Sequence, residues 1–238
     1  DFGPGHGIIQ AWFSQNREAP NKPAKNAATP VDLQEVFELI GGAQRGVLFL
    51  AFIPGRPSIV TELHRVYEDK LQQGKRLFVR GAATDTAPAA EFKVNLFHRT
   101  ARPDAAVTSV GGINDAFSYW QRELSKLGHA VIHDKIVVID PFTDNCAVVT
   151  GSHNLGFKAS YANDENLLII RGNRAVAEAY TAHVLDVYDH FRWRYRLQEA
   201  QRRDQLAQAW QDLDETDAWQ DKYFAPDQLA GADVDFWR

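Results

Sequence analysis

The segment Gly46 to Ile53 (GVLFLAFI) is apolar at every position, and no other feature limits the fold so strongly. A strand with one wet face alternates apolar and polar residues, whereas an unbroken apolar run of strand length belongs to a strand covered on both faces. Helices must therefore flank it, and the neighbouring sequence supplies them. Upstream, Pro30-Val31-Asp32 opens a helix with Leu33, Val36, Phe37 and Ile40 at helical spacing, ended by Gly41-Gly42. Downstream, Pro54-Gly55 stops the run, and Ser58 to Gln73 places Ile59, Leu63, Val66, Tyr67 and Leu71 on one helical face. Gly74 closes that helix ahead of a strand at Arg76 to Arg80. Strand, helix, strand in this order predicts a parallel βαβ unit.

The rest of the chain extends the same pattern. Gly7 to Phe13 and Leu167 to Arg171 have strand character, as does Phe92 to His98. Ala130 to Asp140 and Cys146 to Gly151 are apolar runs joined by PFTDN, which predicts a hairpin. Ser14 to Pro30, Gly81 to Ala90 and Thr100 to Gly112 have the composition of loops. Asn114 to Leu127 carries Phe117, Trp120, Leu124 and Leu127 on one helical face, and Asn173 to about Arg196 is a long helix. The expected fold class is α/β, a mixed sheet flanked by helices. From Tyr195 the chain becomes helix-prone and highly charged, with Trp210 and Trp219 and an irregular aromatic end. The expected division is a domain over 1–194 and a helical extension over 195–238 that wraps the core or a partner.

Composition removes several classes of function. Cys146 is the only cysteine, so there is no internal disulfide and no cysteine-rich metal centre. No apolar run approaches the roughly 20 residues of a membrane-spanning helix, and the chain is expected to be soluble, with peripheral membrane contact left open. A net charge of −5 gives no broad basic field for duplex nucleic acid. The 238 residues contain no methionine. Asp1 is accordingly expected to be an arbitrary cut and not the native start.

Candidate chemistry is concentrated between residues 130 and 170. His133-Asp134-Lys135 and Asp140 form His-x-Lys-x4-Asp on an expected strand, where alternation puts His133 and Lys135 on one face. By the same alternation Asp140 points away from His133 and is expected to bond nearby backbone. Gly151-Ser152-His153-Asn154 follows, with Ser152 and Asn154 of like parity, and Glu165 lies just before the last strand. A nucleophile, a cation and neutral polar groups together suit phosphoryl chemistry, with Glu165 able to orient an imidazole. No carboxylate cluster offers itself to magnesium, so neither a metal nor a cofactor is expected.

These residues resemble the signature of the phospholipase D superfamily, His-x-Lys-x4-Asp followed by Gly-Ser-x-Asn. The resemblance rests on His133, Lys135, Asp140, Gly151, Ser152 and Asn154, with Glu165 near where members keep an acid. The order of elements from about Asp32 to Phe191 also resembles one half of that fold. Two features depart from the pattern: a longer spacer between Asp140 and Gly151, and a single motif where members oppose two. His64 and His98 lack a lysine two residues later. The resemblance implies a metal-independent phosphodiesterase acting through a phosphohistidine, with His133, Lys135, Asn154 and Glu165 catalytic and Asp140, Ser152 and Gly151 in support. It implies a second motif, from a missing N-terminal half or a homodimer mate. A phospholipid headgroup ester is the favoured substrate, a nucleic-acid backbone the alternative, and a non-catalytic partner half the reading from another class.

Plainer readings attach to other residues. His129 and His133 are four apart on a segment of strand character, which gives no common metal site. His153 fills the variable position of Gly-Ser-x-Asn and is expected in a surface or core contact. Cys146 suits a small buried hydrophobe. Gly3, Gly5 and Gly7 lack the strand and helix that a nucleotide loop requires. Trp210, Trp219 and Trp237 suit packing, and the basic cluster from Arg192 to Arg203 suits a solvated helix face.

Overall fold

The structure is a computed structural model that describes residues 7–16, 28–53, 58–84, 106–109, 132–202, 216–225 and 230–238. Seven strands form one mixed sheet: β1 (Ile8–Phe13), β2 (Gly46–Ala51), β3 (Phe78–Ala83), β4 (Ala106–Ser109), β5 (Lys135–Ile139), β6 (Ala147–Gly151) and β7 (Asn166–Arg171). Their order is β1-β7-β6-β5-β2-β3-β4. The helices are α1 (Val31–Gly42), α2 (Ile59–Gln72), α3 (Phe157–Tyr161), α4 (Arg174–Arg202), α5 (Asp221–Phe224) and α6 (Gly231–Trp237), with a 3-10 turn at Ala218–Gln220.

The apolar run behaves as its composition requires, since every residue of β2 is buried. It pairs in parallel with β3 and antiparallel with β5, so the βαβ unit and the β5–β6 hairpin share a central strand. On one face α1 and α2 bring Leu33, Val36, Ile40 and Leu63 against Val47, Phe49, Val137 and Ile169. On the other, α4 presents Ala177, Val184 and Phe191, a seven-residue repeat that keeps one stripe of the helix toward Leu48, Val138 and Val148. Hydrophobic burial on both faces supplies the main stabilisation.

Three expectations change. β3 begins at Phe78 and runs past Arg80 to Ala83, because Gly81 to Ala83, small and loop-like in composition, lie buried between β2 and β4. β4 occupies part of the expected loop at Thr100 to Gly112, pairing in parallel with β3 from Ala106. β5 starts at Lys135, so His133 and Asp134 lie in the segment entering the strand. The expected strand Phe92 to His98, the helix Asn114 to Leu127 and His129 lie outside the described residues, as do Gly3, Gly5 and Trp210.

The end of the chain is built into the second face. Phe236 is fully buried and stacks on Phe78 with ring centroids 4.1 Å apart. Asp233 and Asp235 of α6 pair with Arg80 at 2.8 Å and Arg76 at 2.6 Å. α4 runs without interruption through residue 194.

Candidate active site

The start of β5, the end of β6 and the start of β7 bring His133, Lys135, Gly151, Ser152 and Glu165 to one end of the sheet. Antiparallel pairing sets Val137 opposite Val149, and Gly151 opposite Leu167, so the entry to β5, the exit from β6 and the entry to β7 lie together. An open depression of about 640 Å³ there is lined by His133, Asp134, Lys135, Gly151, Tyr180 and His183 among others.

His133 is exposed, and its ring meets the Phe52 ring edge-on at a centroid distance of 5.0 Å. Lys135 is buried. Its ammonium donates to the carbonyl oxygen of His133 and lies 5.5 Å from the centre of the Phe52 ring. Burial pushes the Lys135 ammonium below its ordinary pKa, and the negative charges of Glu165 and Asp134 only partly offset this. Imidazole and ammonium are thus adjacent through backbone and a shared aromatic neighbour, not through strand alternation.

Asp140 sits at the far end of β5 and takes no part in the depression. Its Oδ1 accepts the backbone N–H groups of Arg45 at 2.7 Å and Gly46 at 2.9 Å, and its Oδ2 accepts that of Gln44 at 2.7 Å. The carboxylate seals the entry to β2.

The Gly-Ser-x-Asn segment divides its residues among different tasks. Gly151 has φ +133°, and a Cβ there would lie 2.4 Å from the carbonyl oxygen of Asn166, so only glycine fits. Because β6 ends at Gly151, alternation does not govern Ser152 and Asn154. The Ser152 hydroxyl accepts the backbone N–H of Asn166 at 3.0 Å, while the Ser152 N–H donates to the Asn166 carbonyl at 3.1 Å. Ser152 therefore ties the end of β6 to β7. The side-chain oxygen of Asn154 is buried and has no hydrogen-bond partner among the described residues. Glu165 accepts from the Asn163 side chain at 3.0 Å; among the described residues no hydrogen bond joins it to His133.

Sequence reasoning missed two groups. His183 of α4 stands 3.5 Å from Asp134 on the rim of the depression. A buried cluster of Asp32, His153 and Ser160 lies directly behind Asn154. Neither has a local signal, because His183 lies 49 residues from Asp134 and Ser160 lies 128 residues from Asp32. The expectation that Cys146 is a small buried hydrophobe matches its position, where burial pushes the thiol pKa up. Among the described residues no group of three or more His, Cys, Asp or Glu is placed to hold a metal ion, and no helix is long and apolar enough to cross a membrane.

An α/β domain with a mixed sheet thus brings His133, Lys135 and Gly151 together where β5 begins and β6 ends. Residues 102–185 match the family described as cardiolipin synthase, PLD-like domain. Among solved structures, Nuc from Salmonella typhimurium, a phospholipase D family member, is 19% identical, with 75% of this chain and 92% of that chain covered and a TM-score of 0.45. NucT from Helicobacter pylori is 15% identical over 75% of this chain and 96% of that one, with a TM-score of 0.42. Phosphatidylserine synthase from Haemophilus influenzae Rd KW20 is 16% identical over 75% and 38%, with a TM-score of 0.35. No curated protein matches the sequence.

Proposed function

We propose that the chain is a metal-independent phosphodiesterase that cleaves phospholipid headgroup diesters through a phosphohistidine at His133. The observation that carries this reading is the adjacency of an exposed imidazole and a buried ammonium at the mouth of the depression. In the first step a ring nitrogen of His133 donates its lone pair to phosphorus, and the bond from phosphorus to the leaving alcohol oxygen breaks. The leaving oxygen takes a proton from an opposing acid. In the second step that group, now a base, removes a proton from water; the hydroxyl attacks phosphorus, the phosphorus–nitrogen bond breaks, and His133 is restored.

Lys135 supplies positive charge to the phosphoryl oxygens, and its burial strengthens that effect by excluding water. Asn154 donates an amide N–H to the same oxygens. Glu165 lends negative charge beside Lys135 and accepts an imidazole N–H once the site is complete. Asp140, Ser152 and Gly151 support these groups through the backbone. No second His-x-Lys is present in the sequence, so the opposing acid comes from a second motif, in another part of the protein or in a second copy of this chain.

A lipid substrate is supported by the family description and by exposed apolar side chains beside the site. Phe13 is 74% exposed and pairs across the β1–β7 ladder with Asn166, next to Glu165. The acidity of the chain works against a polyanionic strand. The catalytic unit is taken as 1–194, with 195–238 as an extension whose last helix is anchored on β3.

The test sets anionic phospholipid vesicles beside single-stranded DNA in the presence of excess EDTA. Headgroup release that is insensitive to EDTA and absent in His133→Ala is the expected result. Cleavage of DNA alone would replace the lipid substrate by a nucleic acid. Activity lost to EDTA and restored by magnesium or zinc would overturn the metal-independent mechanism.

A further inference from the structure

Behind the Gly-Ser-x-Asn turn lies a polar cluster that the mechanism above leaves unused. His153, Asp32 and Ser160 are each at most 1% exposed. A carboxylate, an imidazole and a hydroxyl are costly to bury unless each finds a partner. Here the partners form one consistent set. The Ser160 hydroxyl donates to Asp32 Oδ1 at 2.9 Å. Having given its proton there, it can only accept from His153 Nε2, at 3.2 Å. Nε2 also faces Asp32 Oδ2 at 3.3 Å. The other ring nitrogen, Nδ1, accepts the backbone N–H of Leu155 at 3.0 Å. Nδ1 is therefore the unprotonated nitrogen and Nε2 carries the hydrogen. Flipping the ring would put Cδ2 in place of Nδ1 against the Leu155 N–H and Cε1 in place of Nε2 against Asp32 and Ser160, losing every one of these bonds, so the orientation is fixed.

The same three residue types occur in hydrolytic triads, but the order of donation excludes that role. Ser160 gives its proton to the carboxylate and not to the imidazole, and its oxygen is sealed from solvent. Asp32 is held below the ordinary carboxylate range: burial alone would raise it, and the hydrogen bonds from His153 and Ser160 outweigh that.

We propose that His153 is the positioning residue for Asn154. The bond from the Leu155 N–H to Nδ1 closes a turn with Asn154 at its centre, just as Asn and Asp side chains bond the backbone two residues on. Leu155 itself has φ +52°, a left-handed conformation unfavourable to a side chain, and it is held there by that bond and by burial of its own side chain. The imidazole is tied through Asp32 to the first turn of α1 and through Ser160 to α3. Asn154 is thereby fixed to two helices on the far side of the sheet edge. Its amide oxygen is buried without a hydrogen-bond partner among the described residues, so the amide is held by its turn and not by bonds of its own oxygen. The inference rests on the phosphodiesterase reading of Asn154 for its catalytic meaning, while the positioning itself is independent of activity.

Two variants separate the turn from the anchor. His153→Asn keeps a side-chain oxygen able to accept the Leu155 N–H but cannot reach Asp32, and His153→Phe keeps ring volume without an acceptor. With bis(p-nitrophenyl) phosphate as substrate, normalised to folded protein, kcat is expected to fall less than about fivefold in His153→Asn and about 30- to 100-fold in His153→Phe, with KM little changed. In an Asn154→Ala background the difference between the two variants should vanish. The side-chain amide resonance of Asn154 in 15N-labelled protein should stay sharp in His153→Asn and broaden or shift in His153→Phe. Equal kcat and equal Asn154 resonances in both variants would overturn the proposal. So would an effect of His153→Phe that persists in full without Asn154. If His153→Phe does not fold, Ser160→Ala takes its place, with a smaller kcat loss that again disappears in Asn154→Ala; an unchanged kcat and resonance there would also overturn it. Should the unmutated protein fail to hydrolyse the diester with its second motif present, in the whole protein and in the assembled pair of chains, the phosphodiesterase reading falls, and the resonance comparison still decides the positioning.

Discussion

At one end of β5 the Asp140 carboxylate accepts three backbone N–H bonds and is closed off from solvent; at the other, His133 stands exposed beside an ammonium withdrawn from water. Both belong to one eight-residue motif, yet their surroundings give them opposite tasks. A buried carboxylate with every neighbouring donor satisfied holds β5 to the entry of β2 and has no lone pair directed at a substrate. The open end leaves an imidazole unspent and keeps a cation where its field is weakly screened. The five-residue strand between them, buried at every position, is what lets a stable end support a reactive one.

The sharpest way to break this contrast is His133→Ala, for which activity is expected to fall by about 10⁴-fold or more. Because the side chain is exposed, thermal stability should move by less than about 0.5 kcal/mol. Asp140→Ala should do the reverse. Leaving three N–H groups without their acceptor is expected to lower stability by about 3 kcal/mol, read as a shift in the urea midpoint, with activity per folded molecule nearly kept. Asp140 variants that lose activity at unchanged stability would dissolve the division of labour between the two ends.

Lys135→Met sharpens it further. Removal of a buried charge is expected to leave stability equal or higher by about 1 kcal/mol while activity drops about 10²- to 10³-fold. The pH dependence follows from the direction of the shift. Burial lowers the Lys135 pKa in the folded chain, so between that value and the ordinary 10.5 the unfolded chain binds the extra proton. Stability contributed by this group therefore rises with pH across that window, and Lys135→Met should flatten the rise in urea titrations. Catalysis, which needs the charged form, should fall over the same range. Ser152→Ala carries the smallest effect: loss of the acceptor for the Asn166 N–H should cost about 1 kcal/mol and leave kcat within about threefold.

The strands that are apolar throughout were legible in the sequence because burial on both faces leaves no other composition. β2, β5 and β6 fall within the expected runs, and α1, α2 and α4 follow their helical spacing. β3 and β4 were displaced or hidden because Arg80 to Ala83 and Ala106 to Ser109 gain their strand character from parallel pairing with each other and with β2, a tertiary effect with no local periodicity. The candidate site residues stand out in the sequence as a motif, but their geometry does not. Alternation cannot describe His133, which precedes β5, or Ser152 and Asn154, which follow β6. The roles of Asp32 and Ser160 were beyond reach, since nothing in a sequence ties two polar residues so far apart to the histidine between Ser152 and Asn154.

The central claim is that His133 carries the phosphoryl group, and the direct measurement is a rapid acid-free quench of turnover with a ³²P-labelled diester, followed by peptide mapping. The expected result is label on His133 that is stable to base and labile to acid, and its loss in His133→Ala together with turnover. Full turnover by His133→Ala, or label found instead on a carboxylate or hydroxyl and labile to base, would contradict it.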